Sequence, residues 1–221
     1  MSIEARFHDI RDRIPDGVRL VAVTKTRTPD EIMELIRCGH RTLGESKVQE
    51  LLSKYEAIPG DIEWHLIGHL QSNKVKHIAP FISLIHSVDS LKLLKAINKE
   101  GKKNNRIIPC LLQLHIAQEE SKYGFSREEV RQLLEDPEYL AMEHVSIKGL
   151  MGMATFTSDH SQIRKEFSEL RHFFEALKSD VFAGDPAFCE LSMGMSDDFE
   201  IGIAEGSTMV RVGSAIFGDR H

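Results

Sequence analysis

The chain is short of cysteine, of basic charge and of long apolar runs, and each shortage excludes something. It has only three cysteines in 221 residues: Cys38, Cys110 and Cys189, an odd and widely spaced set with no CxxC pair. That excludes a disulfide framework and fits a reducing compartment, the cytoplasm. Cys110 and Cys189 stand among apolar neighbours and are expected to be small core residues. The eleven histidines are scattered. No pair of them has metal-ligand spacing, so no metal site is expected. A formal net charge of −6 removes the general electrostatic reason to expect nucleic acid or a membrane surface as partner. No apolar stretch reaches transmembrane length. The segment Met1 to Ile10 is amphipathic, not a signal peptide. No G-x-G-x-x-G follows the first apolar run, so the dinucleotide fingerprint is missing. Without repeats, low-complexity tracts or linkers, residues 1–221 read as one domain.

What is present is an ordinary globular composition, 41% apolar and 28% charged. Short apolar runs recur, separated by helical patterns. The runs are Val18–Val23, Arg41–Gly44, Glu63–Ile67, Ser83–Val88, Ile108–His115, Ser146–Met151, Phe188–Met193 and Met209–Val212, eight candidate strands. Between them, Thr28-Pro29-Asp30-Glu31 is a capping box with proline at the first helical position, and Gly39 is placed to close that helix. Ser126-Arg127-Glu128-Glu129 repeats the box before Val130, Leu133 and Leu134. Ile163, Phe167, Leu170, Phe174 and Leu177 keep helical spacing. Ser196-Asp197-Asp198 opens a further helix that Gly206 closes. Strict alternation implies a parallel sheet, and eight strands are the number that closes a (β/α)8 TIM barrel. No clear helix follows the eighth run, and a helix from Ile3 to Asp12 is expected to cover that gap. An open doubly wound sheet is the alternative, because periodicity does not decide closure.

Lys25 ends the first run, Val18-Arg19-Leu20-Val21-Ala22-Val23-Thr24-Lys25. A run this rich in β-branched residues reads as a buried parallel strand. Its carboxyl end lies where α/β folds bind ligands. Desolvation there would lower the lysine pKa and free the amine for Schiff-base chemistry with an aldehyde. The other reading of an isolated strand-end lysine is a side chain reaching to water.

The far end of the chain changes that balance. Ser192-Met193-Gly194-Met195-Ser196 leaves the seventh run, and Arg211-Val212-Gly213-Ser214 leaves the eighth. These exits are the usual phosphate site of a TIM barrel, and closure sets strand eight beside strand one. Glycine permits close backbone approach, and Ser192 and Ser214 offer hydroxyls. Arg211, costly to bury inside a strand, either pairs with an acid or offers a permanent donor to a ligand. In Trp64-His65-Leu66-Ile67-Gly68-His69, Gly68 would let backbone approach a ligand and His69 would stack or hydrogen-bond there. His65 reads equally as a structural histidine. Gly44-Glu45-Ser46 closes the second run similarly, and Glu119 to Phe125 reads either as a wall of the site or as a surface loop.

Together with His86-Ser87-Val88-Asp89-Ser90 and Lys148-Gly149-Leu150-Met151, these motifs resemble the pyridoxal-phosphate-binding homeostasis protein family, whose members are similar to the N-terminal barrel of alanine racemase. The resemblance runs from about Val18 to Gly218. It implies pyridoxal 5'-phosphate (PLP), the cofactor form of vitamin B6, held as an internal aldimine on Lys25. It implies phosphate contacts from Ser192, Gly213 and Ser214, with Met193 and Gly194 beside them, and Arg211 near the pyridine nitrogen. Ser46, Gly68 and His69 would complete the binding set. Ser46 and His115 stand where the family commonly has asparagine. The second, β-rich domain of alanine racemase, which supplies a catalytic tyrosine, has no counterpart in this sequence, and Tyr55, Tyr123 and Tyr139 have no evident catalytic placement. The resemblance therefore implies a monomeric carrier or buffer of PLP, with PLP-dependent apoenzymes as recipients, and not a racemase or decarboxylase. A cofactor-free class I aldolase is the remaining use of a barrel lysine.

Overall fold

The computed structural model describes residues 1–118 and 123–218. Its eight strands are β1 (Arg19–Val23), β2 (Thr42–Glu45), β3 (Glu63–Leu66), β4 (Leu84–Val88), β5 (Ile108–Gln113), β6 (Val145–Met151), β7 (Glu190–Met195) and β8 (Met209–Val212). All pair in parallel and in sequence order, and β1 pairs with β8 in the register Val21↔Arg211, so the sheet is a closed barrel. The open doubly wound sheet is excluded.

The helices follow the strands: α1 (Ile3–Asp12), α2 (Pro29–Arg37), α3 (Val48–Ala57), α4 (Val75–Ile78), α5 (Leu91–Lys103), α6 (Arg127–Glu135), α7 (Pro137–Leu140), α8 (His160–Ser179), α9 (Phe199–Ala204) and α10 (Ser214–Phe217). Thr28 and Ser126 form complete capping boxes, satisfying otherwise orphaned first-turn N–H groups. Gly39 follows α2 at φ +89°, where a side chain would be strained. The short α10 does follow β8, and α1 packs against it, so two pieces share the covering of that wall.

Alternation along each strand splits the core in two. Leu20, Ala22, Leu43, Trp64, Leu66, Leu112, Leu191, Met193, Val210 and Val212 point outward into the large layer between strands and helices. Val21, Leu84, Leu111, Met151 and Met209 form a separate apolar plug inside the barrel. Among the described residues, no helix is long and apolar enough to cross a membrane.

Three expectations need correction. Cys189 is exposed, because β7 starts at Glu190 and the preceding residue lies at the barrel's lower rim; Cys110 is buried as expected. Strand five stops at Gln113, so His115 lies beyond it, exposed. Phe188 precedes β7 instead of starting it, and stacks on Phe182 at 4.0 Å.

Candidate functional site

A cavity of about 350 Å³ opens at the carboxyl ends of the strands, within the size range of small-ligand sites. Lys25, Arg27, Arg211 and Asp197 are its charged lining residues, so positive charge predominates. Tyr123, Met153, Phe156 and Met195 also line it and are exposed large apolar side chains.

Lys25 is aimed by a clamp on its turn. Thr26, just after it, has φ +66°, an uncommon conformation for a non-glycine residue. Glu50 holds that turn by accepting from the Thr26 N–H at 2.9 Å. The Lys54 ammonium donates to the Thr24 carbonyl and to Glu45 Oε1, each at 2.7 Å, and Thr24 Oγ1 donates to the same carboxylate oxygen at 2.5 Å. Glu45 is fully buried, its other oxygen has no partner among the described residues, and burial raises its pKa against the pull of Lys54 and Thr24. Sequence reasoning missed Glu45 and Lys54, because their meeting depends on α3 folding back over the β1 exit.

Arg211 lines the cavity although only 3% exposed. Nη1 donates to Ser192 Oγ at 2.6 Å and Nη2 to the Gly152 carbonyl at 3.0 Å. A guanidinium has five N–H donors, so three remain after these two bonds, with no acceptor among the described residues. Among the described residues, no carboxylate pairs with it directly. Burial lowers its pKa to about 10, opposed only by the charge of Asp198. A buried cation in this state favours an acceptor in the cavity.

The β7 exit places its serines differently from the sequence expectation. Ser192 faces into the barrel but lies beneath the cavity, fully buried between Arg211 and His86. Met193 points to the helix layer by strand alternation. Gly194, at φ +96°, lets the chain pass close to α9; a Cβ there would sit 2.9 Å from Phe199 Cα. None of these three lines the cavity, whereas Ser196, Gly213 and Ser214 do. Ser196 Oγ accepts from the Gly213 N–H at 3.1 Å and the Ala215 N–H at 3.4 Å. Its own proton is thereby turned away from both, available for a ligand.

Ser46, Gly68 and His69 line the opposite wall. A Cβ on Gly68 would fall 2.3 Å from the Ser46 carbonyl oxygen, so the glycine serves the approach of the β2 and β3 exits to each other. Ser87 Oγ holds the Gly68 carbonyl at 2.6 Å, and Asp89 holds His69 Nδ1 at 3.1 Å. Tyr123 packs against His69 with ring centroids 4.2 Å apart and the rings tilted by 32°, which brings one tyrosine to the cavity after all. Glu119 to Lys122, the rest of that expected wall, lie outside the described residues. Away from the cavity, Glu4, His8 and Cys38 bring ligand atoms within 4.8 Å of one another, a grouping that spacing could not reveal because Cys38 follows α2.

The sequence profile described as "Alanine racemase, N-terminal domain" matches residues 1–221. The pyridoxal phosphate homeostasis protein of Aquifex aeolicus is 39% identical over 203 residues, covering 91% of this chain and 87% of its own. The chain belongs to this family. Its Synechocystis member is 36% identical, with 97% of each chain covered. PipY of Synechococcus elongatus superposes with a TM-score of 0.91 at 33% identity without PLP, over 98% of this chain and all of PipY. The PLP-bound form of PipY gives 0.87 at 32% identity, with the same coverage. Alanine racemase of Bartonella henselae shares the fold, with a TM-score of 0.74 at 17% identity; the match spans 99% of this chain but 60% of the racemase.

Proposed function

We propose that this chain binds PLP through Lys25 and serves vitamin B6 homeostasis by holding and releasing the cofactor, without turning over amino acids. The observation that carries the reading is the pairing, in one cavity, of Lys25, on its clamped turn, with Arg211, a buried cation with no contacting acid among the described residues. The donor set fits the cofactor end to end: an amine for the aldehyde, a cation for the ring nitrogen, and hydroxyls and glycine at the β7 and β8 exits for the phosphate. PLP would supply an electrophilic aldehyde and an aromatic electron sink. Arg211 opposes protonation at the ring nitrogen, which weakens that sink. Ser196 and Ser214 orient the phosphate, and His69, fixed by Asp89, meets the ring from the β3 side. The phosphate set thus takes Ser196 in place of Ser192.

The relatives' names support a homeostasis role, and PipY is a structure with PLP bound. On this reading the recipients are PLP-dependent apoenzymes, and the protein acts as a monomer in the cytoplasm. Its cysteines, free of disulfides, accord with a reducing compartment.

A racemase or decarboxylase is the second reading, and Tyr123 at the cavity is the observation in its favour. Racemisation needs a donor and an acceptor on opposite faces of the substrate. Tyr123 is 46% exposed and engaged with His69, in a solvated position poorly suited to that task. The test is to load the protein with PLP and incubate it with L- and D-amino acids in deuterated water. The carrier reading expects no α-proton exchange at enzyme-like rates. Exchange above roughly 1 s⁻¹ that disappears in Lys25→Ala would establish an enzyme.

A further inference from the structure

A hydrogen-bonded chain runs down the barrel interior from the cavity floor. Arg211 Nη1 donates to Ser192 Oγ at 2.6 Å; Ser192 Oγ meets His86 Nδ1 at 3.1 Å; His86 Nε2 meets His65 Nδ1 at 3.0 Å. All four residues are at most 3% exposed. The chain crosses from β8 to β7, β4 and β3, and ends where His65 lines a second cavity at the opposite mouth of the barrel, beside Arg19 and Glu63.

Its direction follows from elementary valence. The guanidinium only donates, so Ser192 Oγ accepts from it. The single hydroxyl proton then has His86 Nδ1 as its available acceptor. With Nδ1 accepting, His86 carries its proton on Nε2 and donates to His65 Nδ1. His65 in turn carries its proton on Nε2, toward the second cavity. The opposite direction would leave the Ser192 proton buried without an acceptor, at a cost of about 1–3 kcal/mol. Both rings are neutral, since burial holds each well below the ordinary histidine pKa.

We infer that Ser192, His86 and His65 are positioning residues: their one-directional chain, with the Gly152 carbonyl, locks the Arg211 guanidinium in the orientation that presents its remaining donors to the ligand's ring nitrogen. The inference rests on the PLP reading. A side chain as long as arginine has several rotamers, and two fixed bonds on its terminal nitrogens remove that freedom before the ligand arrives. The chain also explains why two histidines occupy barrel-interior positions otherwise filled by Val21, Leu84 and Leu111. Cutting it at Ser192 or His86 frees the guanidinium to turn away from the cavity.

The test compares the affinity of the protein for PLP and for 1-deaza-PLP, which has C–H in place of the ring nitrogen. Wild type is expected to prefer PLP roughly tenfold or more, the scale of a hydrogen bond from a charged donor. Ser192→Ala and His86→Leu are expected to lose most of that preference while still binding both compounds, and Ser192→Thr to keep it. A purely structural role would weaken both ligands equally, so an unchanged preference in Ser192→Ala would overturn the inference. Failure of wild type to bind either compound would instead overturn the PLP reading beneath it. A second measurement needs no variant: nitrogen-15 spectra of histidine-labelled wild type should show His65 and His86 both neutral with the proton on Nε2. A proton on Nδ1 of either ring would reverse the chain and contradict the inference.

Discussion

His65 and His86 illustrate how single residues carry consequences beyond the cavity. Both are buried, and burial disfavours the charged ring, bringing His65 down to about 3 and His86 well below the ordinary 6.5. In the unfolded chain each titrates near 6.5, so below that pH the unfolded state binds more protons than the folded one. Their contribution to stability is complete above pH 6.5 and is lost as pH falls. Two such groups imply a loss of about 2 kcal/mol between pH 7 and pH 5.5. Denaturant unfolding at those two pH values measures it, and replacing His65 with a neutral side chain should remove about half the difference; a pH-independent stability would contradict the burial of neutral rings. At this scale the sequence was partly legible. Lys25 stands out because it ends an apolar run, and Arg211 because it interrupts one. Glu45 and Lys54 do not, because nothing local distinguishes them from the charged surface residues around them; only their pairing over the Lys25 turn does.

At the scale of elements, strand parity and strand exits decide which side chains reach a ligand. The β7 motif was readable as a ligand-binding segment, yet it pointed to Ser192, Met193 and Gly194. Alternation gives Ser192 to the interior chain, Met193 to the helix layer and Gly194 to the contact with α9. The register shift between β7 and β8, after Ser192, carries the exit to Ser196, which joins Gly213 and Ser214 at the cavity. Parity relative to the barrel axis is set by closure and by such shifts, neither of which periodicity contains. The consequence is measurable. Ser196→Ala should weaken PLP binding by about 1.5–3 kcal/mol, the loss of one hydrogen bond to a charged group, and leave pyridoxal, which lacks the phosphate, unaffected. Equal weakening of both ligands would place Ser196 elsewhere in the site.

For the whole molecule, alternation of strands and helices made the barrel legible, since eight strands with matching helices have few other closed arrangements. The capping boxes of α2 and α6 were legible for the same reason: they are local chemistry. Cys189 was misread because apolar neighbours in sequence do not reveal which residues lie on the lower rim. Closure itself creates the site, by setting the Lys25 strand against the Arg211 strand in the register Val21↔Arg211. The amine that follows β1 and the cation from β8 then share one cavity, and on the proposed reading PLP meets both, its aldehyde at Lys25 and its ring nitrogen at Arg211. The most direct test of that account is to load the protein with PLP, reduce it with borohydride and map the modified peptide. The account predicts a single pyridoxyl label on Lys25; a label on Lys47 or Lys74, or none at all, would contradict it.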